Sequence, residues 1–340
     1  MREDWFDSGR CQPWGRTLGL IEPILALADR NYIHSIRSEF ARVGIDAAVA
    51  DHDSAAIFDW LLATFQYQGM SDRSVEGFAK EHGAVGWDDL ASATDGRPRC
   101  NRLWSYWHFH DCGYRKRART CAEPHNLHDC PLPGLPLRNG RLSQNAFALY
   151  FFMRDVCDGD LVGWIDDRLG QVAWERGQDG SEFARAILEP MGYIHGVSSK
   201  VLSMALADLL LGADPKRDRW VAAGASMIAI DSLVHNFFHR TGTLARHGAE
   251  HPYGDRCYQP GGCIDLVRGI ADRFDARTLN PDYPERFSRL VQHSIWAFCA
   301  QSQWNICNGN QINDRVGCRN RLCVCWDRCG RKVIPRLVHA

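Results

Sequence analysis

The chain has no apolar run long enough to cross a bilayer: its most apolar stretch, Val201 to Ala213, is broken by Asp208, and a spanning helix needs about 20 such residues. It has almost no net charge, since 40 Lys and Arg against 41 Asp and Glu leave −1. A global basic surface is therefore absent, and any nucleic-acid contact must come from a local patch. Met1-Arg2-Glu3-Asp4 opens with mixed charge and without the apolar region of a signal peptide. There is no internal repeat and no low-complexity tract. From these absences we expect a cytoplasmic protein with no membrane partner, and a monomer.

What the chain does contain is unremarkable in bulk and unusual in detail. Charged residues are 24% and hydrophobic ones 45% of 340 residues, ordinary for a globular chain able to bury one large core or two modest ones. The anomaly is 14 cysteines beside 14 histidines and 12 tryptophans. In a reducing compartment, clustered Cys and His point to a metal more often than to disulfides.

Apolar periodicity predicts an all-α fold. Residues 1–95 read as an N-terminal helical part: Met1 to Arg16 as an arm over the core, one or two amphipathic helices over Ile21 to Val43, and a helix from Ala55 to Gln66 capped by Asp53 and Ser54. Residues 96–140 read as a Cys/His-rich basic insertion, the non-helical pattern beginning at Trp87. Cys100, His108, His110, Cys112, Cys121, His125, His128 and Cys130 crowd there, around the run Tyr114-Arg115-Lys116-Arg117-Ala118-Arg119. Cys112, Cys121 and Cys130 are candidate Zn²⁺ ligands that would present Arg115, Lys116 and Arg117 to phosphates; equally, cysteines pack as small hydrophobes. Residues 141–299 read as a helical core, with one helical stretch from Leu142 to Gln171, helices near Glu182–Met191, Asp265–Phe274 and Pro284–Cys299, and a hairpin over 193–200. Residues 300–340 form a Cys/Arg-rich tail in which Cys307, Cys318, Cys323 and Cys329 are candidate ligands for zinc or an iron–sulfur cluster.

The most informative stretch is Tyr193 to Gly242. His195-Gly196-Val197-Ser198-Ser199 reads as a tight turn before a helix that opens at Lys200. Gly196 tolerates positive φ, and serine caps leave backbone N–H groups free at a helix start, a ready phosphate cradle. Further on, the apolar approach Met227-Ile228-Ala229-Ile230 ends at Asp231, before a third helix carrying His235 and His239.

Gly196-Val197-Ser198-Ser199-Lys200-Val201 resembles the hairpin of the helix-hairpin-helix DNA glycosylase superfamily, the group of endonuclease III and 8-oxoguanine glycosylase. Ala229-Ile230-Asp231-Ser232-Leu233-Val234 is similar to that superfamily's apolar-Asp segment, and Gln66 to Val75 to its early Gln-containing segment, in the same chain order. His195 and Ser198 depart from the family's Pro and second Gly, and the Lys-to-Asp interval is longer than usual. The resemblance implies a two-lobed helical fold that binds double-stranded DNA, flips a damaged or modified base and excises it. It places the catalytic acid on Asp231, the Schiff-base nucleophile of an AP-lyase step on Lys200, the residue filling the vacated stack on Gln68, and phosphate contacts on Gly196, Val197, Ser198 and Ser199. The excised base is left open, a hypermodified cytosine of phage DNA, and so antiviral defence, included. The tail's position matches that of the iron–sulfur cluster in the endonuclease III branch, although its spacing does not.

Two other readings stay open. Asp231, His235 and His239 fall on one helix face and could ligate the metal of a metal-dependent hydrolase. A non-catalytic DNA-binding protein could keep the hairpin and a zinc-stabilised insert.

Overall fold

The computed structural model of the chain describes residues 12–67, 72–110, 112–173, 179–307 and 317–334. The fold is all-α: 59% is helix and no strand is present among the described residues. In chain order the helices are α1 (Gln12–Leu25), α2 (Tyr32–Val43), α3 (Ile45–Ala50), α4 (Ser54–Phe65), α5 (Asp72–His82), α6 (Trp87–Thr94), α7 (Tyr106–Phe109) and α8 (Gly140–Phe151). They continue with α9 (Leu161–Gly170), α10 (Ser181–Met191), α11 (Ser199–Gly212), α12 (Asp218–Ser226), α13 (Ser232–Arg240), α14 (Thr243–Arg246), α15 (Cys263–Ala271) and α16 (Ser288–Cys299). The chain divides into two compact units: Met1–Ile33 with Ala225–Ala340, and His34–Gly224. The sequence segments drawn at residues 95, 140 and 299 follow composition, whereas the units follow packing.

In the unit His34–Gly224 the centre is α4. Asp53 starts it by accepting the Ala56 N–H at 3.0 Å, the cap expected from sequence. Ile57, Phe58, Leu61, Leu62 and Phe65, at helical spacing, are all fully buried, and α4 packs on α8 and α11. Burying a side chain of this size contributes about 1.5–3 kcal/mol, so this face anchors the unit. α11 meets α2 at Gly212, where an added Cβ would lie 2.6 Å from Ile36.

The single helical stretch expected from Leu142 to Gln171 is two helices. A π-helical turn at Phe152–Val156 ends α8, Asp158 and Gly159 take positive φ (51° and 79°), and Asp160 restarts the chain as α9 by capping Gly163 N–H at 2.9 Å. Apolar periodicity does not register such a break, because both helices bury apolar faces. The segment from Trp87, expected to be non-helical, opens with α6, whose start is held by the Gly86 N–H donating to Asp89 at 2.9 Å. A further helix, α12, lies between α11 and the apolar approach to Asp231, where no helix is expected from the sequence.

In the unit Met1–Ile33 with Ala225–Ala340, α1 packs with α15 and α16, and α13 with α16. Leu20, Ile21, Ile24, Ile230, Phe237, Phe238, Val267, Ile270, Ile295 and Phe298 meet in one core. The arm expected over Met1 to Arg16 is corrected over its last residues. α1 begins at Gln12, and Trp14 lies where Gly269 has no side chain: a Cβ there would be 2.1 Å from the indole. Arg273 covers the Trp14 ring at 4.2 Å.

Candidate functional site

One group of metal-ligand side chains is tight among the described residues. His235, His251, Cys257 and Cys263 are all buried, with donor atoms within 4.8 Å of one another. They arrive from four places: His235 from α13, His251 from the loop after α14, Cys257 from the 3₁₀ turn Asp255–Tyr258, and Cys263 from the first residue of α15. His235 Nδ1 faces Cys263 Sγ at 3.4 Å and Cys257 Sγ at 3.5 Å. His251 donates from Nδ1 to the Ala249 carbonyl at 2.6 Å, which leaves Nε2 as the lone-pair nitrogen, and Nε2 points to Cys263 Sγ at 3.5 Å. Fixing the tautomer through the far nitrogen is how ligating histidines are oriented. Cys263 donates to Cys257 and holds that thiol down to about 3, while the Cys263 thiol is raised. Two sulfurs and two imidazoles facing inward in this way can bind a metal such as zinc.

Asp231 precedes the same helix. Its side chain caps α13 by accepting the Val234 N–H at 2.9 Å, and it is buried, 9% exposed. The residue before it is clamped by Tyr258, whose hydroxyl pairs with both the N–H and the carbonyl of Ile230. The carboxylate thus starts the helix that bears His235, and the approach to it is held by the neighbour of Cys257. His239 is buried one turn beyond His235, their ring centroids 5.4 Å apart. Desolvation, then the charge of His235, depresses its pKa. Neither Asp231 nor His239 belongs to the tight donor group; of the three ligands considered from sequence, only His235 does.

The hairpin lies in the other unit. Gly196 has φ +87°, and a Cβ there would sit 2.7 Å from the Arg141 carbonyl oxygen and 3.1 Å from Asn145 Cβ, so glycine is required twice over. Ser198, in extended conformation, caps α11 by accepting the Val201 N–H. The helix begins at Ser199, one residue before Lys200. Two α8 residues hold the turn: Asn145 donates to the His195 carbonyl at 3.0 Å, and His195 Nε2 donates to the Gln144 side-chain oxygen at 3.2 Å. Desolvation, then nearby Arg141, lowers the His195 pKa, so the ring stays neutral at pH 7. These α8 side chains carry no recognisable motif; two adjacent amides inside an aromatic helix were the only signal.

Lys200 lies in the unit His34–Gly224 and Asp231 in the unit that holds α13. Gln68 lies outside the described residues. Arg115, Lys116 and Arg117 are exposed at the tip of a loop closed by an antiparallel bridge between Arg115 and Thr120. Cys112, Cys121 and Cys130 line one cavity together with Cys100, which the sequence reading left out of its ligand set. In the tail, burial and then like charge from Cys307, Cys323 and Cys318 raise the Cys329 thiol. The fifth tail cysteine, Cys325, is buried in the core and donates to the Leu20 carbonyl.

No protein-family model, no curated protein and no solved structure matches the chain.

Proposed function

We propose that the protein is a DNA glycosylase that turns a damaged or modified base out of the duplex and breaks its N-glycosidic bond. The observation that carries this reading is the pair α10 and α11 joined by a short turn, with Gly196 at φ +87° and Ser198 capping the second helix. Such a turn offers N–H groups and the positive end of a helix to a backbone phosphate, a contact that positions a protein without reading sequence.

Excision requires the target nucleotide outside the stack. In this scheme the hairpin holds the flanking phosphate, and Asp231 stands as an anion beside the cation that develops on the sugar as the C–N bond breaks. Asp231 orients water, whose oxygen bonds to C1′ as the C1′–N bond breaks; the base departs with the bonding pair and ends with the proton that the water gives up. In a two-step variant the Lys200 amine bonds to C1′ and displaces the base, which leaves with the bonding pair and the proton the amine loses. Opening of the C1′–O4′ bond then gives the imine, which allows β-elimination of the 3′ phosphate.

The His235 centre takes no part in a step. A bound zinc would be held by four buried protein ligands with no open position, the pattern of a structural site. It would fasten α13, and Asp231 with it, to the loop of Cys257. The same closure weighs against a metal-dependent hydrolase.

The test incubates purified protein with DNAs carrying oxidised, alkylated, uracil or glucosylated-cytosine bases, scoring abasic sites by alkali and nicks without it. Cleavage that depends on alkali and is reduced at least about 100-fold in Asp231→Asn, with DNA binding kept, is the expected result. Direct nicking lost in Lys200→Ala would assign the imine route. An active Asp231→Asn protein overturns the mechanism, and tight DNA binding without base release on any substrate makes the protein a binding module.

A further inference from the structure

We propose that Cys100, Cys112, Cys121 and Cys130 form a tetrahedral zinc site that staples the segment between α6 and α8. The four thiols come from four separate turns and line one cavity of about 10 Å³, room for a single water-sized particle, with Leu103 and Leu132 as its apolar wall. All four are free thiols and half-buried.

The surroundings favour thiolates held by a metal over cysteines used as small hydrophobes. The Tyr114 N–H donates to the Cys112 carbonyl at 2.9 Å, and the Gln144 side chain donates to the same oxygen, so the backbone that carries Cys112 is held from two sides. A ligand backbone fixed in this way sets the direction of its side chain, which is what the support of a metal ligand does. Of the common divalent metals, zinc matches an all-sulfur tetrahedral set.

The segment also needs a staple. Its regular structure is one four-residue helix, the 3₁₀ turns Asn101–Leu103, Pro124–Asp129 and Leu132–Gly134, and the Arg115–Thr120 bridge. Its buried apolar side chains are few, among them Leu103, Phe109, Tyr114, Leu132 and Leu137. Segments with so small a core are commonly held by disulfides or a metal. Here the metal would clamp both feet of the loop Gly113–Thr120, since Cys112 and Cys121 flank it directly, and hold Arg115, Arg117 and Arg119 towards solvent. Gln144, which binds His195 of the hairpin, also donates to the Cys112 carbonyl, so the staple and the hairpin share one support. The site does not depend on the glycosylase reading.

The test uses the full chain. Elemental analysis compares the protein as isolated with Cys121→Ser and with Cys130→Ser; each variant is expected to carry one zinc fewer per chain than the parent. Reconstitution with Co²⁺ keeps the test independent of variant folding. A tetrathiolate site gives visible bands at longer wavelength than a two-sulfur, two-nitrogen site, and both sets are expected in the parent protein. Unchanged zinc content in both variants, or Co²⁺ spectra without the long-wavelength set, overturns the site; iron in place of zinc at these residues overturns the choice of metal.

Discussion

The Tyr258 hydroxyl accepts the Ile230 N–H at 2.9 Å and donates to the Ile230 carbonyl at 3.1 Å. One side chain thereby satisfies both backbone groups of the residue before Asp231, from a position next to Cys257 of the buried His/Cys group. Burial raises the phenol above its ordinary value, so it keeps its proton, and with it both bonds, throughout the working pH range.

Tyr258→Phe removes both bonds and keeps the ring. Leaving two backbone groups without their partner costs about 2 kcal/mol, to be read as a lower denaturant midpoint. In the glycosylase scheme base release falls as well, because the approach to Asp231 loosens, while the metal content stays at the parent level. Parental stability together with parental activity would show that the Tyr258 clamp is idle.

Gly196→Ala is expected to damage the hairpin and spare the rest of its unit. A left-handed backbone costs a residue with a side chain roughly 1–2 kcal/mol, and the new methyl meets the Arg141 carbonyl. DNA affinity, measured by fluorescence anisotropy at fixed salt, should drop at least about tenfold, with the helical circular dichroism retained. Undiminished affinity would remove the hairpin from the DNA-binding surface.

Chelation reads out the His235 centre. Metal bound only by the folded state adds its binding free energy to folding, so a strong chelator at pH 7 should lower Tm, and added zinc should restore it. His251→Ala should give a low Tm without chelator and lose this centre's share of the chelator response, keeping only the share of the Cys100 site. A Tm indifferent to chelator in the parent protein would mean that this group does not hold a metal in solution.

His293 contributes a dependence on pH. Burial, then the charge of Arg289, depresses its pKa to about 4, and its ring lies 4.5 Å from that of Tyr32. The unfolded chain, with an ordinary histidine, binds the proton first as pH falls, so stability is full above about pH 6.5 and declines towards pH 4, by up to roughly 3 kcal/mol. His293→Gln should flatten that part of the stability profile measured by urea denaturation; an unaltered slope would assign it to other groups.

Helix starts were legible because a cap joins residues three apart and needs nothing else. Asp53, Ser198 and Asp231 each accept the N–H three residues on, as their types and positions suggest. The positive φ of Gly196 and the extended approach to Asp231 belong to the same class of local information.

Grouping of side chains from distant places is a different matter. His235, His251, Cys257 and Cys263 sit on a helix, a loop, a 3₁₀ turn and a helix start, and their spacing matches no short motif; only the packing of α13, α15 and α16 in one core brings them within 4.8 Å. Cys100 joined the insert's thiols, and Asn145 and Gln144 the hairpin's support, for the same reason. The sequence by itself determined an all-α chain, its caps, its turn at Gly196 and the presence of metal-ligand chemistry, because helix periodicity and capping act over a few residues. Which cysteines and histidines meet was decided by the tertiary structure alone, because a ligand set depends on how whole helices pack and not on any neighbour along the chain.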